Sequence, residues 1–256
     1  GQLPSWTSDR QALVVGKVQA AAIQGETPVE LVHLHASEPA PSVHRQTIDA
    51  TIDATGTMNG RITDELEGAA AVDFRIRTRS WLDDRWRREI ESDLRARGPT
   101  AALRGTRPAA WEKVDGKLSF SADFAVPGYA ARDGARQVVP LSFLHFSWDH
   151  DFGDEPRHHD VLVREATREE ETIVLHLPSG WGAIDLPRSQ SWHSDALDAA
   201  VNVKSNGGTV TVRRIVQTHA GHWGPAEFDD IKGIARKLAT IRQAAFVIAP
   251  AAAATN

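Results

Sequence analysis

The chain of 256 residues contains no cysteine, one methionine and one tyrosine. The lack of cysteine excludes disulfide bonds, thiolate metal ligands and a cysteine nucleophile within these residues. Long apolar runs are missing too, since none approaches the about 20 residues that a membrane-spanning helix needs. We therefore expect no membrane insertion and no cysteine chemistry from this chain.

A strong charge of either sign is also missing, because the formal net charge is −5 and the pI is about 6.1. Without a basic surface the chain has no general attraction for nucleic acid or acidic membranes. The sequence has neither a phosphate-cradling glycine loop nor a Gly-x-Ser-x-Gly nucleophile motif. We therefore expect no cofactor and no nucleic-acid partner.

What the sequence does contain is typical of a globular protein, with 41% hydrophobic and 25% charged residues. It begins at Gly1, and its only methionine is the internal Met58. We therefore expect a mature or excised fragment of a longer protein.

Alternation of apolar and polar residues dominates the chain and predicts β-strands. Asn59-Gly60 predicts a tight hairpin turn. The segment 71–79 alternates as well and would place a row of arginines (Arg75, Arg77 and Arg79) opposite Asp49 and Asp53 of a neighbouring strand. The predicted strands are residues 11–16, 29–35, 47–55, 71–79, 117–126, 138–146, 159–165, 172–177 and 208–216.

Two segments change to helical spacing. In residues 80–97, Ser80 is a candidate N-cap with Asp83 three residues on, and an apolar stripe follows. The second helix begins at Gly224-Pro225. The first stripe is Leu82, Trp86, Ile90 and Leu94, and the second is Phe228, Ile231, Ile234, Ala235, Leu238 and Ile241. Both helices are predicted to cover a sheet.

Residues 97–108 are rich in Gly, Pro, Ala and Arg and predict a domain boundary. The predicted fold is mainly β, with two antiparallel β-sheet or β-sandwich domains that each carry one covering α-helix. The first domain is predicted at residues 1–100 and the second at 101–249. Residues 250–256 are predicted to form a flexible tail.

Several segments resemble, in the same order, the C-terminal β-rich region of bacterial transglutaminase-like proteins. Members of that family join an N-terminal β-domain of unknown function, a papain-like transglutaminase core and this C-terminal region. The resembling segments are residues 1–15, 51–77, 81–94, 118–130, 175–187 and 210–216. Their matching features include Gly56, Gly60 and Gly68 in a hairpin pattern and the run Leu177-Pro178-Ser179-Gly180-Trp181.

The resemblance implies that the chemistry of the parent protein belongs to a Cys-His-Asp core upstream of this chain. We therefore expect a non-catalytic accessory region that supports a transglutaminase-like or cysteine-protease-like core, or that binds a protein or peptide partner. The resemblance also implies a periplasmic or cell-envelope location.

The segment 145–160, HFSWDHDFGDEPRHHD, concentrates histidines and acids and raises the possibility of a metal site. Adjacent His158 and His159 would face opposite sides of a strand and would not bind the same ion. We expect a solvated strand–loop–strand connection. A metal-dependent hydrolase built on His150, His158 and Asp160 is an alternative. The acidic run 169–171 is expected to form a solvated face.

Loop tryptophans are the remaining candidates for binding. Trp148, Trp181 and Trp192 fall in or beside predicted loops, and His150 lies near the first of them. Exposed aromatic side chains on loops can grip a peptide or stack on sugar rings. We predict binding by Trp148, His150, Trp181 and Trp192, with a carbohydrate-binding β-sandwich as the alternative. Plugging the ends of the sandwich is the purely structural explanation.

Overall fold

A computed structural model describes residues 10–15, 29–34, 42–107, 116–145 and 157–251. The helices are α1 (Ala69–Thr78), α2 (Asp83–Arg97) and α3 (Pro225–Arg242). The strands are β1 (Arg10–Val15), β2 (Val29–Leu34), β3 (Ser42–Ile52), β4 (Met58–Glu67), β5 (Ala102–Arg107), β6 (Leu118–Val126), β7 (Ala131–Asp133), β8 (Arg136–Pro140), β9 (Val161–Val163), β10 (Thr167–His176), β11 (Trp181–Asp185), β12 (Gln190–His193), β13 (Leu197–Asn206), β14 (Thr209–Thr218), β15 (Gly221–Trp223) and β16 (Ala245–Pro250).

The mainly β fold is confirmed. The largest sheet has eight strands in the order β12-β13-β14-β10-β3-β4-β6-β5, and a second sheet has the order β11-β16-β8-β7. In the described residues, two further antiparallel pairs form two-stranded sheets, β1-β2 and β15-β9. The large sheet is mixed rather than purely antiparallel, because β3 and β10 run parallel. None of the helices in the described residues is long and apolar enough to cross a membrane.

The large sheet crosses the boundary expected at residues 97–108. β4 pairs with β6 and β3 pairs with β10, so strands from both sides of the boundary hydrogen-bond in one sheet. Gly98 ends α2, and the Ala101 N–H donates to the Gly98 carbonyl at 2.7 Å in the turn into β5. The division into residues 1–100 and 101–249 therefore does not separate two independent sheets; the Gly/Pro-rich composition marks a turn.

One hydrophobic core joins the inner face of the large sheet, α3, β8 and β16. Ile48, Val139, Leu238 and Ile248 are among its buried members, none more than 1% exposed. The predicted stripe of α3 is confirmed, because its positions from Ile231 to Ile241 are buried. Burial of each such side chain contributes about 1.5–3 kcal/mol.

The strand predicted at residues 71–79 is wrong, since this segment belongs to α1. Gly68, with φ 64°, ends β4, and the alanine run that follows favours a helix. Ala71 is fully buried and packs with Leu66 and Leu118 of the sheet. The expected arginine row along a strand therefore does not form, and the terminal Nη2 of Arg75 donates to the Gly116 carbonyl at 3.2 Å.

Two local predictions also need correction. The β3–β4 turn lies at residues 53–57, where the Asp53 carboxylate accepts hydrogen bonds from the N–H groups of Thr55 and Thr57. Asn59-Gly60 is paired within β4 instead. The N-cap of α2 is Leu82 and not Ser80, and Leu82 is 78% exposed rather than part of the apolar stripe.

Candidate binding site

Of the residues predicted to bind a partner, the two that the structure describes, Trp181 and Trp192, are not brought together. Trp148 and His150 lie outside the described residues. Trp181 opens β11 and Trp192 lies in β12, so the two indoles belong to different sheets. Both are half-buried and pack against the main core, which agrees with the structural explanation for loop tryptophans.

The candidate metal ligands that are described are His158 and Asp160, and both are exposed. Across the described ranges, no group of three or more His, Cys, Asp or Glu side chains is placed to hold a metal ion. His150, the third candidate ligand, lies outside those ranges.

A row of polar side chains crosses the inner face of the large sheet. Arg214 of β14, Glu171 of β10, Gln46 of β3 and Asp64 of β4 stand opposite one another in register. All four are buried, with exposed fractions between 1% and 7%. We call these four residues, together with Arg97 of α2, the polar ladder. Buried polar groups of this kind are stable only when they are paired with each other.

Arg97 lies in the last turn of α2 and ties the helix to the ladder. Its Nη1 donates to Gln46 Oε1 at 2.6 Å, to the Phe143 carbonyl at 3.2 Å and to Glu171 Oε1 at 3.3 Å. Its Nε donates to Asp93 Oδ2 at 3.0 Å. The hydrogen bonds of the Arg97 guanidinium group are therefore made to acceptors within the protein.

Glu171 is the centre of the polar ladder. Its carboxylate accepts hydrogen bonds from Arg214 Nε at 3.2 Å, from Arg97 and from the His145 backbone N–H at 2.8 Å. The expectation that residues 169–171 form a solvated face is wrong for Glu171, which is 1% exposed. The alternation of β10 explains this, because Glu171 faces inward in step with Ile173 and Leu175.

A cavity of about 280 Å³ opens beside the polar ladder, between the sheet and the helices α1 and α2. We call it the α1–α2 cavity. Four aromatic side chains line it, and their ring centroids lie 5.0 to 6.1 Å apart in stacked, edge-to-face and tilted contacts. The aromatic lining is Phe74, Trp81, Trp86 and Phe120, and the polar lining is His44, Gln46, Asp64, Arg77, Glu89, Asp93, Arg97 and His145.

Carboxylate oxygens in the cavity keep unused acceptor capacity. Asp64 Oδ1 accepts from His44 Nε2 at 2.7 Å and from Gln46 Nε2 at 2.8 Å, whereas its Oδ2 accepts no hydrogen bond from the described residues. Glu89 has its nearest cation, Arg85 Nε, at 3.8 Å, and Asp93 Oδ1 lies 3.7 Å from His145 Nδ1. Both separations exceed hydrogen-bond length.

The two histidines of the cavity have opposite pKa shifts. Burial disfavours the charged imidazole of His44, but the hydrogen bond and charge of Asp64, with the charges of Glu169 and Glu171, outweigh it and raise the pKa of His44. Burial, followed by the charge of Arg97, lowers the pKa of His145 against the opposing charge of Asp93. Such divergence is typical of functional sites, although structural ion-pair networks also produce it.

The sequence analysis did not predict the polar ladder or the α1–α2 cavity, although the inward-facing positions of the strands contain a pattern that indicates them. Each polar residue lies two positions from a buried apolar residue on the same face of its strand: Gln46 from Ile48, Asp64 from Ile62, and Arg214 from Val212. A polar residue at an inward-facing position of a buried strand marks either a paired core group or a site. Across neighbouring strands, such positions indicate a shared polar row.

Comparison with known proteins finds a family match in the second half of the chain. Residues 138–248 match DUF3858, a domain of unknown function with a solved structure. No curated protein matches the chain. Among solved structures, a crystal structure described as a "putative protease" from Parabacteroides distasonis ATCC 8503 is 16% identical, with a TM-score of 0.35. The match covers 40% of this chain and 20% of that chain, and the TM-score is too low to establish a common fold.

Proposed function

We propose that this chain is a non-catalytic accessory region of a transglutaminase-like or cysteine-protease-like protein. In this proposal the α1–α2 cavity binds a segment of the catalytic core or of a protein or peptide partner. The motif resemblance supports the family part, and the DUF3858 match at residues 138–248 includes the segments 175–187 and 210–216 that carry the resemblance. On the same basis the parent protein belongs in the periplasm or cell envelope.

The observation that carries the proposal is the cavity itself. It is preformed, its walls are aromatic, and a few polar groups converge at its base, which is the usual composition of a binding site. Its volume of about 280 Å³ is below the usual range of about 300–1,000 Å³ for small-molecule pockets. We infer that it accommodates one side chain of a partner segment.

The last turn of α1 and the connection to α2 supply apolar surface near Trp81 in the sequence. Ile76 is 42% exposed and Leu82 is 78% exposed, whereas most other large apolar side chains of the fold are buried. Exposed apolar side chains beside a pocket are a common feature of protein-binding surfaces. Tryptophan is also enriched among the residues that dominate binding energy.

The lack of cysteine supports the non-catalytic part of the proposal, because the family's chemistry depends on a cysteine nucleophile. The proposal predicts that the reading frame encoding this chain continues upstream into a Cys-His-Asp core. It also predicts no amidase, esterase or transglutaminase turnover by the isolated chain. Turnover that a single point substitution abolishes would contradict it.

A binding experiment tests the proposed role directly. The upstream core, produced separately, is titrated by calorimetry with this chain and with its Leu82→Ser variant. We expect Leu82→Ser to weaken binding at least about tenfold, as for a residue in the centre of an interface. Ile184→Ser is the matched control, because Ile184 is 56% exposed on β11. Equal weakening by both variants would remove the α1–α2 surface from the proposal.

A further inference from the structure

The chemistry of the α1–α2 cavity selects among the side chains that a partner segment offers. Its walls are aromatic and its base carries carboxylates with unused acceptor capacity. We propose that the cavity binds the basic side chain of a lysine or arginine from the partner. This inference rests on the proposed function and names the class of ligand.

The aromatic walls favour a cation because the face of an aromatic ring attracts positive charge. The protein already uses two of these rings in this way. The guanidinium of Arg77 lies 5.2 Å from the Phe74 centroid, and that of Arg85 lies 4.9 Å from the Trp81 centroid. Rings at the cavity therefore accommodate guanidinium groups, and Trp86 and Phe120 extend the same wall inward.

Asp64 supplies the negative charge at the base. It stands opposite Phe120 in the register of β4 and β6, so its Cβ lies about 5 Å from that of the aromatic residue. Gln46 and His44 both donate to Oδ1, which fixes the carboxylate and leaves Oδ2 without a hydrogen bond from the described residues. A partner ammonium or guanidinium group can donate to that oxygen while its aliphatic stem packs between the rings.

Glu89 and Asp93 line the same cavity and add two further acceptors on α2. The nearest cationic atom to Glu89 is Arg85 Nε at 3.8 Å, which is beyond hydrogen-bond length. Asp93 already accepts a hydrogen bond from Arg97 Nε through Oδ2, but its Oδ1 lies 3.7 Å from His145 Nδ1 and keeps acceptor capacity. Three carboxylates thus line the cavity; the Asp64 side chain is 10% exposed, whereas those of Glu89 and Asp93 are about half exposed. Electrostatic attraction to an incoming cation is therefore strongest at the buried carboxylate of Asp64.

Acidic and apolar side chains fit the cavity less well. An incoming carboxylate meets three carboxylates. Of the two arginines in the lining, Arg97 is already bonded to Gln46, Glu171 and Asp93, and Arg77 lies over the Phe74 ring. An apolar side chain would cover Asp64 Oδ2 without giving it a hydrogen bond, which costs desolvation energy. Charge and hydrogen-bonding capacity therefore both favour a basic group.

Capped amino acids test the inference without knowledge of the partner. The N-acetyl methylamides of lysine, arginine, norleucine and glutamate are titrated into the whole chain, and the indole N–H resonances of Trp81 and Trp86 are followed by NMR. We expect the lysine and arginine compounds to shift these resonances with at least about tenfold higher affinity than the other two, as expected for a charge-assisted contact. Equal or tighter binding of norleucine or glutamate overturns the inference.

Variants of the carboxylates sharpen the test. Asp64→Asn should reduce the preference for lysine over norleucine at least about fivefold, whereas Asp49→Asn should leave it unchanged. Asp49 is the matched control because it faces outward on the adjacent strand. Glu89→Gln is a second variant on the helix surface, outside the polar ladder, and should reduce the preference even if Asp64→Asn fails to fold. A preference that survives in Glu89→Gln and in folded Asp64→Asn overturns the inference.

The two proposals fail separately. If norleucine or glutamate binds as well as lysine while the core still binds in a Leu82-dependent way, the basic side chain is wrong and the accessory role stands. If capped lysine binds selectively but the core does not bind, the cation preference of the cavity stands and the accessory role is wrong.

Discussion

Two neighbouring rows on the inner face of the large sheet illustrate two ways of building a protein interior. The apolar row is Val212, Ile173, Ile48, Ile62 and Ala122. The second row lies two residues further along the same strands. It contains the four sheet residues of the polar ladder and Phe120: Arg214, Glu171, Gln46, Asp64 and Phe120. Both rows are largely buried and share the same backbone pairing, so only the side chains differ.

The difference shows how each row depends on its neighbours. The apolar row is stabilised by the area it removes from water, and each side chain contributes largely on its own. The polar ladder gains nothing from burial as such, because desolvation of its charges is costly and mutual pairing offsets that cost. Loss of one member therefore harms the others. This is also the part of the interior that borders the α1–α2 cavity.

The largest expected effect comes from Glu171→Ala, which removes the carboxylate shared by Arg97 and Arg214. Two buried guanidinium groups then lose a partner, and we expect the free energy of unfolding to fall by about 3–5 kcal/mol. Urea denaturation measures the loss. The control is Glu170→Ala, at the adjacent outward-facing position, for which we expect a smaller loss of about 1–2 kcal/mol because its partners Arg168 and Arg213 remain partly in contact with water. Similar losses for both variants would mean that Glu171 is not the centre of the ladder.

In the apolar row, Ile48→Ala tests burial alone. Ile48 is fully buried, and we expect a loss of about 2–5 kcal/mol from the removed methyl groups and the remaining cavity. Thr47→Ala, at the exposed neighbouring position, is the control for the substitution itself. A loss below about 1 kcal/mol for Ile48→Ala would show that neighbouring side chains move into the cavity that the substitution leaves, which a well-packed core does not allow.

The two cavity histidines should give opposite pH dependences. Because its pKa is raised on folding, His44 contributes stability that is fully present below its unfolded value and is lost as pH rises through the folded pKa. The lowered pKa of His145 has the reverse sign, so its protonation costs stability as pH falls below its unfolded value.

Unfolding free energies between about pH 5 and about pH 8 check this pair. Relative to the unsubstituted chain, His44→Gln should be most destabilised at the acidic end of the range. His145→Gln should compare most favourably with the unsubstituted chain at that same end. Parallel curves for the two variants would contradict the opposite shifts.

The smallest effect is expected on the outer face of the same sheet. Arg45 Nη1 donates to Glu67 at 2.7 Å, but both side chains are about two-fifths exposed. We expect Arg45→Gln to change the free energy of unfolding by less than about 1 kcal/mol, and by less again at high salt. A loss near that of Glu171→Ala would remove the distinction between surface pairs and the ladder.

Much of the strand content was predictable because alternation records which face is buried. The segments around Ile48, Phe124 and Val212 form strands as predicted, and α3 buries its predicted stripe. The segment of α1 was mispredicted because Val72, Phe74 and Ile76 mimic strand alternation. Its helical state depends on the packing of Ala71 against Leu66 and Leu118, which local sequence does not record.

The candidate site was less predictable than the fold. Its residues come from β3, β4, β6, α1 and α2, and their proximity depends on pairing between distant strands. The sequence analysis predicted binding by the loop tryptophans because aromatic residues near histidines are easily recognised in a sequence. Glu171 and Asp64 are conspicuous only once their strands are known to face inward.

The parallel pairing of β3 with β10 determines when the sheet can be completed during synthesis. Ser42 pairs with Thr167, so a nascent chain that has made β3 and β4 must wait for a much later segment before the edge of β3 is covered. An uncovered strand edge is prone to pair with other chains, and contacts between remote segments form slowly. Truncated versions that end before residue 176 should therefore aggregate, and shorter expression products need to retain both strands.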